Sequence, residues 1–432
     1  MIKDFLSFIE KSPSAFHAVD SLCAMLKEAG FAALRECDDW QIEPGKGYYV
    51  TRNRSSVIAF RVPECGLAHF QIVSSHSDSP TFKLKQNAED VACGRFIRLN
   101  TERYGGMIMS TWFDRPLSIA GRVIVKTESG FETRLVDLGR DAVLIPNMPI
   151  HFNREVNDGY KYNAQVDLLP LYAEGADTGR LMQEVAACCG AKAEEIVGGD
   201  LFLYNRMGGS VWGADDAFFS CPRIDDLECA WTSMKAFCDT RADGHISVCA
   251  VFDNEEVGSG TKQGADSTFL SDVLSRVCAA LGTTDSQSRA LIARSFMVSA
   301  DNAHAVHPNH PEKYDAQNRT YMNGGVVIKH NANQKYTTDG VSCAVFSQVC
   351  QRAGVPVQHF ANRSDILGGS TLGNIANAHA SMNTVDIGLA QLAMHSSYET
   401  AGVKDAAYMV DALKSFYATD IRFGDDGVFE LD

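Results

Sequence analysis

The sequence predicts an α/β protein built on a doubly wound, mixed but mainly parallel sheet, interrupted by an inserted, mainly-β domain. Three observations predict it. From Cys221 onward, strand-like and helix-like stretches alternate, the rhythm of a sheet covered on both faces. Between about Val91 and Gly213 that rhythm gives way to short β-rich pieces and turns. Finally, 432 residues exceed what one hydrophobic core usually holds. The expected division is 1–89 and 217–432 for the α/β unit, with 90–216 inserted between its two parts.

In order, Phe5, Phe8 and Ile9, then Phe16, Val19, Leu22 and Leu26, recur at helical spacing. Ser12-Pro13-Ser14 breaks them into two helices, and Gly30 ends the second. Strand-like runs follow at 47–52, 56–62 and 69–74, the last leading into His76. Within the insertion, 96–99, 117–126 and 133–137 read as strands and 178–189 as a helix. The glycine-rich stretch 197–213 reads as loop and turn. Next come a helix at 226–238, a buried strand at 245–252, a helix at 268–281 and a strand at 295–300. Further units lie at 341–351, 355–361, 372–380 and 383–387, and a closing helix is expected over 399–419.

Composition narrows the function. Thirty-nine basic against 54 acidic residues leave a formal net charge of −15, which disfavours nucleic acid or an anionic membrane as the main partner. No apolar run approaches the 18 residues of a membrane span. The start, Met1-Ile2-Lys3-Asp4-Phe5, lacks the apolar core of a signal peptide. Thirteen cysteines, with a vicinal Cys188-Cys189 pair and no C-x-x-C, fit reduced thiols in the cytoplasm. The sequons at Asn53, Asn318 and Asn362 carry no meaning there.

Chemistry gathers where strands end, the place at which open α/β sheets bind ligands. His76-x-Asp78 pairs an imidazole with a carboxylate on the same side of an extended segment, able to fix its tautomer. Glu255-Glu256 follows a buried strand, where adjacent carboxylates are costly without compensating positive charge. Their side chains leave in opposing directions, so one can bind metal while the other moves a proton. Asp225-Asp226 opens a helix, Asp301 ends an apolar strand, and His395 precedes Ser-Ser-Tyr-Glu. Singly, these read equally as an N-cap, an acidic loop or a structural histidine. His304, His307 and His310 read as support or surface residues, because Pro308 interrupts them. Together the set is the ligand inventory of a two-metal hydrolase. Carboxylates at 225, 256 and 301 converging without cations would repel one another by several kcal/mol.

With H-S-D-S-P, R-I-D-D-L, E-E-V-G-S, S-A-D-N-A-H-A-V-H-P-N and A-M-H-S-S-Y-E in this order, the chain resembles the aspartyl aminopeptidase family, in its bacterial form, from near residue 1 to about 420. The resemblance implies two zinc ions per subunit, with cobalt or manganese also suited to such ligands. It implies His76 and Asp301 on one ion, Glu256 and His395 on the other, and Asp225 bridging. Asp226 stands where many relatives carry Asn, which leaves Asp225 and Asp226 both open as the bridge. Glu255 would be the general base and Asp78 the orienter of His76. His151 would reach from the insertion into a neighbouring subunit's site, making the insertion a dimerisation domain within a homododecamer. Lys329 would attract acidic side chains in the first substrate pocket, and Gly368, Gly369 and Gly373 would allow close approach of substrate.

The expectation is therefore a cytoplasmic metalloaminopeptidase acting on peptides through a metal-bridging hydroxide and releasing N-terminal Asp or Glu. A broad or leucine-type aminopeptidase, a two-metal carboxypeptidase or deacylase, and a non-catalytic shell protein are its rivals. No G-x-S-x-G elbow is present, and Gly258-Ser-Gly-Thr-Lys262 lacks P-loop spacing.

Overall fold

The computed structural model describes residues 1–65, 68–423 and 428–432. Its frame is a nine-stranded mixed sheet ordered Ala32–Leu34, Gly47–Arg52, Ser56–Arg61, Ile246–Phe252, Phe70–His76, Phe296–Ala300, Asn383–Gly388, Val326–His330 and Val357–Ala361. Four consecutive central strands, Ile246–Phe252 through Asn383–Gly388, run parallel. Every residue of Phe70–His76, Ile246–Phe252 and Phe296–Ala300 is buried, which is why these runs do not alternate between apolar and charged residues.

Each face of this sheet carries its own core. On one, Phe5, Leu22, Met234, Phe346 and Phe416 unite the helices Ile2–Glu10, Ala15–Glu28, Ile224–Asp239, Gly340–Ala353 and Asp405–Ala418. On the other, Phe60, Ile72, Phe269 and Leu274 pack beneath Phe269–Ala280 and Leu372–His379. This is the doubly wound α/β arrangement.

A six-stranded antiparallel sheet, Gly130–Asp137, Leu117–Thr127, Ile196–Asn205, Thr81–Ala92, Phe96–Tyr104 and Leu171–Glu174, has a separate core around Phe82, Trp112, Ile119 and Leu203. It spans Thr81 to Asn205, so the expected 89/90 boundary cuts through one continuous strand. The 216/217 boundary lies beyond its last strand, inside the return to a third sheet. That five-stranded sheet joins Ser210–Trp212, Phe218–Cys221, Glu399–Gly402, Ala390–Leu392 and Ala303–His304.

Three elements differ from expectation. The stretch expected as loop from 197 contains the strand Ile196–Asn205, paired along Leu117–Thr127. Glycines on both strands serve close contact: a Cβ on Gly199 would lie 3.0 Å from the Arg122 carbonyl, and one on the facing Gly121 would meet the Asp200 carbonyl at 2.0 Å. The closing helix starts at Asp405, because Glu399–Gly402 pairs as a strand with Phe218–Cys221. The helix Asp285–Ala293 was not anticipated, although Thr284 and Gln287 form its capping box. No helix among the described residues is long and apolar enough to cross a membrane.

Candidate metal centre

The register of the parallel strands assembles the site. Phe252 pairs with His76 and Ala300 with Ile387, so the segments leaving those strands emerge side by side. Glu255 and Glu256 stand in a short turn just past Phe252, and Asp301 directly follows Ala300. Asp225 and Asp226 lie at the start of the helix Ile224–Asp239, joined by a cis peptide bond. His395 comes from the loop between Ala390–Leu392 and Glu399–Gly402.

The side chains converge in two groups that share Asp225. Ligand atoms of His76, Asp225, Asp226 and Asp301 lie within 4.8 Å of one another, as do those of Asp225, Glu256 and His395. Asp225 faces both imidazoles, with Oδ1 at 3.4 Å from His76 Nε2 and Oδ2 at 3.4 Å from His395 Nε2. Glu256 Oε2 is 3.5 Å from the same His395 nitrogen. The two oxygens of Asp226 instead accept from the backbone N–H groups of His76 and Asn302, at 3.0 and 3.2 Å.

Around these groups stands a scaffold of hydrogen bonds. His76 Nδ1 lies 3.2 Å from the Asp78 carbonyl and 3.3 Å from Asp78 Oδ1, which turns Nε2 toward Asp225. The Asp78 carboxylate accepts from the N–H groups of Glu255 and Glu256 at 3.1 and 3.2 Å. Two supporting residues escaped sequence reasoning. Buried Glu399 accepts from the Asp225 and His395 N–H groups at 3.1 and 2.7 Å, and its place in S-S-Y-E was the available signal. Tyr104, the last residue of its strand in the antiparallel sheet, donates to Asp78, and no local pattern announces it.

Charge in the pocket is severe. Burial, opposed by His76 and reinforced by Asp301, Asp78 and Asp225, pushes Glu255 up to about 8. Burial and then Asp225 drive Glu256 well above the usual carboxylate range, and burial and Asp225 likewise raise Glu399 to about 8. Burial would lower His395, but Asp225 and Glu399 outweigh it and hold the imidazole at about 9. Asp225 Oδ1 and Glu256 Oε1 are buried without a hydrogen-bond partner among the described residues. An oxygen and imidazole set with orphaned carboxylate atoms is what a pair of divalent cations satisfies, so the residues present fit zinc.

The remaining expected residues stand elsewhere. Lys329 is buried, with Nζ 2.8 Å from the Asn302 carbonyl and 3.6 Å from Asp301 Oδ1. His151 is exposed on the antiparallel sheet's side of the chain. A Cβ on Gly368 would strike Asn362, whereas Gly369 has open space around it. Gly373 packs its helix closely: a Cβ there would lie 2.7 Å from Ser299 and 2.9 Å from Asp386.

Across residues 8–417 the chain matches the family described as aminopeptidase I zinc metalloprotease, M18. The chain belongs to peptidase family M18. It is a metalloaminopeptidase by that membership. It is 46% identical over 423 residues to the probable M18 family aminopeptidase 2 of Clostridium acetobutylicum, covering 96% of this chain and 98% of that one. Among solved structures, the M18-like fold superposes on the chain solved in the cryo-EM structure of the Ape4 and Nbr1 complex with a TM-score of 0.93. Identity there is 36%, and the match covers 96% of this chain and 85% of that one. The S. cerevisiae mApe1 dodecamer matches with a TM-score of 0.84 at 29% identity, over 96% and 95% of the two chains.

Proposed function

We propose that this M18 aminopeptidase works with two zinc ions, releases N-terminal Asp or Glu from peptides and assembles through its antiparallel sheet. One observation carries the two-ion reading: Asp225 presents one carboxylate oxygen to each imidazole, at equal distances. His76 and Asp301 would then hold one ion, His395 and Glu256 the other, and Asp225 would be shared by both. The two backbone N–H groups already bound by the Asp226 oxygens favour Asp225 over Asp226 as the bridge. The ions, when bound, supply Lewis acidity toward the scissile carbonyl and lower the pKa of water.

The protein's own groups do the rest. Asp78 holds the His76 tautomer. Glu255 takes the proton of the attacking water and returns it to the departing amine. The side chain of His395 is 33% exposed against 1% for His76, so the cleft opens on the His395 side and substrate enters there. With Asp301 neutralised by a cation, the Lys329 ammonium is left to attract an acidic side chain. Gly369, with open space around it, leaves room for the peptide backbone, and Gly368 lets the same turn pass close to Asn362. A broad or leucine-type preference is the rival reading, favoured by the existing contacts of Lys329 to Asp301 and Asn302.

Self-assembly is supported by Met148, Ile150 and Phe152, which are 58%, 47% and 83% exposed beside His151. Such an apolar loop tip suits burial against a second copy, where His151 would stabilise the developing oxyanion. A dodecamer is the form of the mApe1 relative. All thirteen cysteines are free thiols, in keeping with work in the reducing cytoplasm.

A panel of aminoacyl reporters, with and without chelator, tests this reading alongside metal analysis. Zinc-dependent release of Asp and Glu, absent on N-acetylated peptides, is expected. Chelator-resistant cleavage, or a preference for blocked N-termini, overturns it.

A further inference from the structure

At the opposite end of the central strands a second group of ligating side chains is buried. His69 precedes Phe70–His76, and His245 precedes Ile246–Phe252; Phe70 and Ile246 are register partners, and the Ile246 N–H donates to the His69 carbonyl at 3.0 Å. The two imidazoles therefore lie side by side, centroids 5.4 Å apart and planes 23° apart. Asp420, after the last helix, turns Oδ1 toward them, at 3.6 Å from His69 Nε2 and 3.9 Å from His245 Nδ1. Seven strand residues, rising about 3.3 Å each, separate this group from the His76 pocket by roughly 20 Å.

The polar accounting at this spot does not close. His69 and His245 are 2% and 1% exposed. Both ring nitrogens of His245, and Asp420 Oδ1, are buried without a hydrogen-bond partner among the described residues. Leaving such groups unmatched costs about 1–3 kcal/mol each. The other Asp420 oxygen accepts from Arg422 at 2.7 Å, which aims Oδ1 at the rings. Gln71 fixes the same corner: its amide donates to the Phe416 carbonyl at 2.6 Å, and its oxygen faces His69 Nε2 at 3.0 Å and accepts from the Ile421 N–H at 3.1 Å.

We infer that His69, His245 and Asp420 form a further divalent-metal site, of zinc type, that pins the segment after the last helix to the leading ends of the central strands. The three ligand atoms lie within 4.8 Å of one another. Tetrahedral zinc, with bonds of about 2.0–2.2 Å, sets its donors about 3.3–3.6 Å apart; Asp420 Oδ1 stands at 3.6 and 3.9 Å from the two imidazole nitrogens, and His69 Nε2 would give up its contact with the Gln71 oxygen to bind. Asp420 is 15% exposed, which gives an entry path and a fourth position for water. Burial lowers both imidazoles, His245 to about 4 with help from His69. At neutral pH they are therefore unprotonated, the form that binds metal.

Two measurements decide it, and neither reads peptidase turnover alone. Crystals grown with Zn²⁺ and measured at the zinc edge should show an anomalous peak between the three side chains, independent of any peak at His76 and Asp225. Purified His245→Asn, loaded with Zn²⁺ and desalted, should carry one ion per chain fewer than wild type while keeping wild-type peptidase activity. Absence of the peak, or equal metal content in the two proteins, overturns the site whatever the catalytic pocket binds. Should His245→Asn fail to fold, the anomalous map of the wild-type protein decides alone.

Discussion

The Tyr104 hydroxyl donates to Asp78 Oδ2 at 2.7 Å and itself accepts from the Asn254 amide at 2.7 Å. One phenol thus ties the antiparallel sheet to the carboxylate that orients His76 and carries the Glu255 and Glu256 backbone. Tyr104→Phe removes that tie without opening a cavity. Supporting partners of this kind are worth about 10–100-fold in metal affinity or activity, and kcat is expected to fall by roughly that factor with little change in KM. Wild-type kcat in the variant would detach the sheet from catalysis.

Glu255→Gln keeps the shape of the side chain and removes its proton chemistry. General acid–base groups contribute about 10²–10⁴-fold, so kcat should drop within that range while metal content stays at the wild-type value. A variant that loses its metal would make residue 255 a ligand instead of a base.

Glu255 and Glu399 both titrate near 8, with burial as the largest cause, against about 4.3 for a free glutamate. Between those values the unfolded chain releases protons that the metal-free folded chain keeps, so stability falls as pH rises. The metal-stripped protein should therefore show a melting temperature that declines from about pH 4.5 to 8. Zinc-loaded protein, its ligating carboxylates ionised against cations, should decline less steeply. Parallel curves from the two forms would contradict the charge balance described above.

Lys329→Met tests the acidic preference. Loss of the ammonium should reduce kcat/KM for aspartyl reporters at least about tenfold relative to leucyl ones, since a charged contact is worth roughly 1.5–3 kcal/mol. An unchanged ratio would leave Lys329 as a partner of Asp301 alone.

Gly373→Ala forces a methyl group to within 2.7 Å of the Ser299 side chain. Overpacking of this sort costs about 1–3 kcal/mol. Chemical denaturation should register that loss, with kcat unchanged if this glycine acts only in packing.

Much of the fold was legible because the central strands are buried on both faces: His245–Phe252 and Ser295–Ala300 are mainly apolar, uncharged runs that end abruptly in acidic residues. The same abruptness exposed Glu255, Glu256 and Asp301, where polar side chains follow a strand the sheet can no longer cover. Tyr104 and Glu399 were illegible because their importance lies in hydrogen bonds to residues far away in the chain. Glycines misled in both directions. Gly199 lies in a strand and Gly373 against the core, and neither role is distinguishable from a turn without the facing partner. The strand Glu399–Gly402 was masked by the helix-compatible residues that follow it.

His395 and Glu399 stand within the last forty positions of a 432-residue chain. Because translation delivers the N-terminal portion first, the strands through Phe296–Ala300 emerge before His395 and Glu399, the residues that face and support Asp225.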